Sequence, residues 1–367
     1  GVTVIQSESV GHVGLYQMKE RKLNCLVTRK LPINGTGELI ATKSAAQALI
    51  HAALDDHIGR RQLSEVDIAQ ILATEQQVID YFSSTKAAEF SYTFDDGNLS
   101  FEEISGMIAS TIFCEDYRFG SKLRLKFDKP QLIPVMLFSE ANKVPNSETR
   151  TKNYVTRPNF YGKGYDAVEI EYTSPDDDSR INYIASDVAN PLNPLKIKTS
   201  GIRTHEQAKT RAWREYNKMK YQRLNVEFTA LEESNLLSRN DLILISDGTR
   251  IESDNGYIVA MDGNALELSS EVKAGEYFIY VQLPNMSVDI IACTALENGY
   301  EVVLSRAPTV ALTIDDGLTS YQIVPQSDVA PMPFLVTEIN PADSYTNSII
   351  AANYDVNYYA NDLEFWS

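Results

Sequence analysis

Four histidines, His12, His51, His57 and His205, are the side chains here best suited to move protons or bind zinc near neutral pH. Their spacing assembles neither chemistry. His51 and His57 lie six positions apart, and no HExxH or HxH pattern accompanies any of the four. Cys25, Cys114 and Cys293 are equally scattered. An odd, sparse set gives no disulfide framework and no CxxC metal pair, so buried free thiols in a reducing compartment are the expectation. No GxSxG nucleophile elbow is present.

Carboxylates cluster at Asp95-Asp96, Asp176-Asp177-Asp178 and Asp315-Asp316. Calcium loops of the EF-hand type need ligands at the first, third and fifth positions and a glutamate at the twelfth. Counted from Asp95, the third position is Gly97 and the twelfth is Gly106, and neither can ligate. These acids therefore read as solvated turns. Gly35-Thr36-Gly37 and Gly162-Lys163-Gly164 are too short for a phosphate loop and read as turns. The expectation is no catalytic residue, no cofactor-binding residue and no metal site. Aromatics are plentiful, with 20 Tyr, 13 Phe and 2 Trp. Tyr354, Tyr358, Tyr359, Phe365 and Trp366 gather at one end, where packing or a subunit contact is favoured over ligand binding.

The 367 residues suffice for two or three domains, each with its own core. There are 33 basic and 50 acidic residues, a net charge of −17, which is the wrong sign for a general nucleic-acid binder. The basic stretches Lys19-Glu20-Arg21-Lys22 and Lys209 to Arg223 are short and mixed, and read as solvated faces. No run approaches the roughly 18 apolar residues of a membrane span. Gly1-Val2-Thr3-Val4-Ile5-Gln6 has no initiating Met and no signal-peptide pattern, the expectation for a piece of a longer chain.

Periodicity gives the elements. Residues 1–31 read as extended segments. Ser44-Ala45-Ala46-Gln47 is a capping box opening a helix that Gly59 would end, and a second helix starts near Ser64. Glu89 to Phe94 alternates as a half-buried strand. Ser100-Phe101-Glu102-Glu103 opens a third helix, Leu123 to Phe127 is a strand, and Leu132 to Phe138, holding Pro134, is an edge strand. The order helix, helix, strand, helix, strand, strand is α+β. Ala167 to Tyr172 is a strand, 186–201 a loop, and Thr204-His205-Glu206-Gln207 a third box before the Trp213 helix. Strands then follow at 224–230, 241–246, 256–261, 264–268, 277–283, 287–293, 299–304, 320–324, 334–339 and 348–354. Asp247-Gly248, Asp262-Gly263, Asn298-Gly299 and Asp316-Gly317 punctuate them, the pattern of a small barrel or sandwich.

Gly201-Ile202-Arg203-Thr204-His205-Glu206-Gln207-Ala208, the Trp213 helix, Asn225-Val226-Glu227-Phe228 and Leu237-Ser238-Arg239-Asn240-Asp241-Leu242-Ile243 occur in an ordered series. With Gly256 to Val259, Ala265 to Leu268, Glu89 to Asp96 and Asp166 to Tyr172, this series resembles the phage tail-tip attachment proteins, the host specificity protein J family of lambda-like phages. It covers roughly residues 20–360, and departs from the family at Arg239-Asn240-Asp241, where the family usually has Pro-Gly-Asp.

The resemblance implies an α+β, multidomain tail hub: an N-terminal α+β module over 1–157, a strand-helix-strand segment over 158–230, a small β-barrel over 231–330, and a C-terminal hairpin over 331–367 packed back on the hub. It implies a structural, non-enzymatic part of a long-tailed phage or prophage tail tip, assembled in the bacterial cytoplasm. That part closes the tail tube, links it to the central fibre, and takes part in host attachment and DNA ejection. Implied partners are tail-tube, tail-tip and tape-measure proteins and two further copies in a homotrimer. DNA would pass through without specific binding. Three copies would carry 3 × (−17) = −51, and acids facing a lumen would repel phosphate within a Debye length of about 8–10 Å. A carbohydrate-binding adhesin with a Tyr-rich surface is the alternative, and a tail-associated cell-wall hydrolase a more distant one.

Overall fold

The computed structural model describes residues 29–367 except 95–97, 140–141, 146–154, 159–163, 178, 246–253, 298, 315–318, 327–331 and 367; the side chains of 155–158 are also outside the description. The extended segments expected within 1–28 and the Asp247-Gly248 and Asp316-Gly317 turns lie outside the described residues.

A small helical unit comes first. The hairpin of β1 (Lys30–Pro32) and β2 (Leu39–Ala41) leads into helices α1 (Ala45–Leu54), α2 (Ile68–Phe82) and α3 (Phe101–Thr111), then the hairpin β3 (Cys114–Phe119) and β4 (Lys122–Phe127). Leu49, Ile50, Ile71, Val78, Phe82, Ile104, Ile108 and Leu125 form its core. The third helix begins at a full capping box: Ser100 Oγ accepts from Glu103 N at 3.2 Å, and Glu103 Oε2 accepts from Ser100 N at 2.7 Å. Ser44 Oγ caps α1 by accepting from Gln47 N, but the expected box does not close: Ser44 N donates to Thr42 Oγ1, and Glu75 on α2 accepts from Ser44 Oγ and Ala46 N.

Several expectations shift here. Helix α1 ends at Leu54 rather than Gly59, because the Asp55 carboxylate accepts from the His57 and Ile58 amides and turns the chain outward. Gly59 serves the fold-back: its amide reaches Ala52 O, and a Cβ there would lie 2.4 Å from Ala53 O. Helix α2 starts at Ile68, and Ser64 sits in a preceding 3₁₀ turn. Residues 89–94 join no sheet; Phe90 N donates to Lys43 O and Ser91 N to Gly201 O, which uses the backbone without making a ladder. The observed order in this unit is a short hairpin, three helices, then a second hairpin, with no strand between α2 and α3, where Phe90 and Phe94 stack on each other instead of lining a sheet face. Pro134 lies just before β5 (Met136–Phe138), which is an edge strand as expected.

After β6 (Val155–Pro158) comes a three-stranded sheet in the order β8-β7-β9, from β7 (Ala167–Thr173), β8 (Arg180–Ala185) and β9 (Pro194–Lys198). The last corrects the loop expected over 186–201: Leu195 and Ile197 turn inward while Lys196 and Lys198 face water. Helix α4 (His205–Tyr221) lays Ala208 and Ala212 on Val168, Ile170 and Tyr172.

The remaining chain is β. Strands β10 (Leu224–Ala230), β11 (Leu242–Ile245), β18 (Met332–Pro341) and β19 (Asn347–Asn353) join β5 and β6 in a six-stranded sheet of order β5-β11-β18-β19-β10-β6. Between β11 and its partner β18 the chain leaves to form a closed six-stranded barrel of β12 (Asp254–Asp262), β13 (Ala265–Leu268), β14 (Gly275–Gln282), β15 (Val288–Ala295), β16 (Glu301–Leu304) and β17 (Ser320–Pro325). Period-two alternation sends Leu266, Leu268, Ile279, Val281, Ile291, Val302, Leu304, Tyr321 and Ile323 inward. At the Asp262-Gly263 turn the glycine takes φ +62°, as a tight hairpin requires. The architecture is α+β, with this barrel beside an open sheet.

The barrel is not free of the sheet. Leu137, Leu244, Tyr280, Val288 and Val324 form one apolar seam between them. Gln282 on β14 accepts from Leu137 N at 3.0 Å and donates to Val135 O at 3.2 Å, and Val288 N donates to Pro134 O at 2.9 Å. The exposed side of β5 is thereby satisfied by the barrel, which removes a pairing-prone edge.

Candidate functional site

The side chains singled out by the sequence stay apart. His51 lies on α1 with Nε2 buried and unpartnered, and burial holds its pKa below the usual value. His205, at the first position of α4, bridges Tyr172 Oη at 2.7 Å and Asp176 Oδ2 at 3.2 Å, tying the helix start to the β7–β8 turn. Cys114 and Cys293 are buried thiols; burial raises the first well above its ordinary range and the second to about 12. His12, Cys25, Asp95, Asp96, Asp178, Asp315, Asp316, Gly162 and Lys163 lie outside the described residues. Among the described residues no group of three or more His, Cys, Asp or Glu is placed to hold a metal ion. Gly35, at φ +81°, makes a turn packed on Leu54 of α1.

The described residues do converge at one place, around Arg214. Helix α4 buries Gln207, Thr210, Arg214 and Asn217 along with its alanines, so the Lys209 to Arg223 stretch is not the solvated face its charges suggested. Arg214 Nε donates to Asp362 Oδ1 at 2.8 Å and Nη2 to Oδ2 at 2.6 Å, a bidentate fork whose side chains are 3% and 2% exposed. Nη1 reaches Asp128 Oδ2 at 3.4 Å. The guanidinium lies 4.7 Å from the Phe113 ring centroid and 5.2 Å from that of Tyr359.

Three phenols complete the shell. Tyr359 donates to Asp128 Oδ1 at 2.6 Å, Tyr358 to Asp128 Oδ2 at 3.3 Å, and Tyr81 to Asp362 Oδ2 at 3.1 Å. Burial, reinforced by the neighbouring carboxylates, pushes all three phenols above their ordinary value. Burial opposes the charge of Arg214, but the carboxylates of Asp362 and Asp128 more than offset it and hold the guanidinium protonated. The raised phenols and the guanidinium keep their protons near pH 7. The centre is a lock. The aromatic cluster at residues 354–366 supplies half of it, as the packing expectation anticipated. Arg214 and Asp128 escaped the sequence reading; the one signal was polar residues at 207, 210, 214 and 217, which share one helical stripe on the side of α4 away from Ala208 and Ala212.

Three of the residues that carry the tail-protein resemblance, Gly201, Gln207 and Asp241, act as joints too. Gly201, at φ +94°, lets Phe90 approach: a Cβ there would lie 2.4 Å from the Phe90 ring. Gln207, fully buried, donates to Ala87 O at 3.2 Å and Glu89 O at 2.9 Å. Asp241 accepts from Ser238 N at 2.5 Å and pairs with Lys126. Asn240 holds φ +63°, a left-handed position that glycine or asparagine fills, so the departure from Pro-Gly-Asp keeps the turn.

No protein-family model matches the sequence, and no curated protein matches it. Among solved structures, a chain from the virion of the native gene transfer agent particle shares 10% identity over 78% of this chain and 47% of that one, with TM-score 0.39. The tail protein from Neisseria meningitidis MC58 shares 7% identity over 80% of this chain and 68% of that one, TM-score 0.34. The 43 kDa tail protein of prophage MuSo2 from Shewanella oneidensis shares 12% identity over 71% and 63%, TM-score 0.32. This chain thus spans about half of the gene transfer agent chain it resembles. Likenesses at this level carry no functional argument.

Proposed function

We propose that this chain is a structural part of the tail of a long-tailed phage or prophage. It works as a hub at the tail tip, trimeric when assembled, that closes the tail tube and joins it to the central fibre. Its partners are tail-tube and tape-measure proteins and copies of itself, and it performs no catalysis. One observation supports the reading above others. Three residues of the family-like series are spent on contacts between elements distant in sequence: Gly201 under Phe90, Gln207 on the Ala87 and Glu89 carbonyls, and Asp241 on Lys126. In an enzyme such a series would be expected to line a cleft; in a scaffold it holds parts in register.

The test is localisation and loss. Gold-labelled antibody against this chain should decorate tail tips of particles released from the source cells, and deleting its gene should leave heads without functional tails. Label on the head or on no particle, or fully infectious particles from the deletion, would overturn the assignment.

A further inference from the structure

The segment Tyr354–Trp366 is bound to the rest of the chain mostly by side chains; beyond Tyr354 its backbone contributes the Tyr358 carbonyl, which accepts from Asn217 Nδ2 at 3.2 Å. Its described amides mostly turn back on the segment itself: Tyr358 to Asp355, Ala360 to Asn357, Asp362 to Tyr359 and Glu364 to Asn361. The Tyr354 amide, which donates to Pro333 O at 2.9 Å, marks where the segment leaves the sheet. The other anchors beyond that are side chains set into a groove. Tyr354 Oη accepts from Gln131 N and donates to Gln131 O; Asn361 accepts from Asn217 at 3.0 Å. Trp366 lays its ring 4.7 Å from Phe82 and donates to Thr210 Oγ1 at 3.0 Å. The Asp128 and Arg214 contacts lie between these two ends.

This is how a short linear peptide sits on a receptor: anchors at intervals, one buried charge pair, a helical turn of its own and no ladder. We infer that the groove between α2, α4 and Asp128 is a peptide-binding site for an aromatic and acidic segment of the pattern Tyr-Tyr-x-x-Asp-x-x-x-Trp. The chain's own strap occupies it in cis, and the strap of a second copy can occupy it in trans. Arg214 meets the strap where it carries the Asp362 carboxylate, so the charge complementarity selects an acid at that position, while Lys209 lies 5.9 Å over the Phe365 ring. The 13 residues of the strap extend to roughly 43 Å when released. In cis the strap competes at an effective concentration on the order of millimolar, so exchange stays silent until that strap is weakened. The inference does not rest on the tail assignment.

A fluorescent peptide of residues 354–366 tests it by anisotropy against the full chain. The Asp362→Ala chain, its own strap weakened, should bind the labelled peptide about a hundredfold tighter than the wild-type chain. The same peptide carrying Asp362→Ala should bind the Asp362→Ala chain about a hundredfold more weakly than the wild-type peptide does. If that chain does not fold, Tyr359→Phe, which loses one hydroxyl bond to Asp128, replaces it with an expected gain of about tenfold. A folded, weakened chain that takes up no peptide, or takes it up regardless of the peptide's Asp362, would overturn the inference and make the strap an integral part of the fold.

Discussion

Replacing Arg214 by methionine should be among the most damaging single changes in this chain. The substitution keeps the volume and removes the charge, leaving Asp362 and Asp128 facing each other without the guanidinium that lies between them. Tyr81, Tyr358 and Tyr359 still donate to these carboxylates, so part of the hydrogen bonding survives. What is lost is the charge balance of a pair whose side chains are 3% and 2% exposed. Breaking a buried pair by removing one partner costs about 3–5 kcal/mol, against about 0–1 kcal/mol for an exposed pair. Arg180 provides the internal control. It pairs with Glu171 at 2.9 Å but is 75% exposed, so Arg180→Ala should change stability by less than about 0.5 kcal/mol. Urea unfolding followed by far-UV dichroism and by tryptophan fluorescence reads both variants, since Trp366 and Trp213 report the strap and α4. A loss below about 1 kcal/mol for Arg214→Met, or equal losses for the two variants, would refute the claim that the centre is a buried, mutually paired charge cluster.

Three further outcomes are expected. Gly201→Ala should destabilise the chain by about 2 kcal/mol or more, since φ +94° and a Phe90 atom 2.4 Å from the new Cβ both oppose it; a melting temperature within a degree or so of wild type would contradict this. Tyr81, Tyr358 and Tyr359 have raised folded-state values, so the unfolded chain releases these protons first. Their contribution is present below the ordinary value of about 10 and drains away as pH rises beyond it; urea midpoints should fall above about pH 10, and less steeply in Tyr359→Phe. His51 shifts the other way, chiefly through burial, so the unfolded state binds the proton first on acidification. Its contribution is full above about pH 6.5 and is lost as pH falls below that, and His51→Gln should remove this part of the acid slope; identical slopes would show that His51 titrates freely when folded.

The barrel was the most legible part of the sequence. Its strands alternate with period two and its turns carry Asx-Gly pairs, so local pattern and final register agree from Asp254 to Pro325 within a few residues at each end. The helix starts at Ser44, Ser100 and Thr204 were equally plain, because a cap is a local hydrogen bond. The misses share a different cause. Residues 89–94 carry a strand pattern, yet the partner their backbone finds is the α1 cap on one side and Gly201 on the other, which no local rule encodes. Strand β9 hides among prolines because its one partner, β7, pairs in parallel across an intervening hairpin. The Arg214 centre was illegible for the same reason. Asp128, Arg214 and Asp362 are separated by 86 and 148 residues, and nothing around any one of them announces the others.

A buried ionic centre is a costly way to fill space. Methionine and leucine of matching volume often stabilise a fold as well or better, since they avoid desolvating charge. The centre adds direction instead. A guanidinium that must present two parallel N–H groups to Asp362, a third edge to Asp128 and a face to Phe113 tolerates few orientations of α4. Apolar contacts between the helical unit, α4 and the strap would carry no such directional requirement. The fork allows one register, and the phenols of Tyr81, Tyr358 and Tyr359 penalise any other by leaving buried acceptors bare. In a protein whose proposed work is to hold tail parts in fixed relation, fixed geometry is the property that function would draw on, so the most heavily built site in the described chain lies at a joint instead of in a cleft.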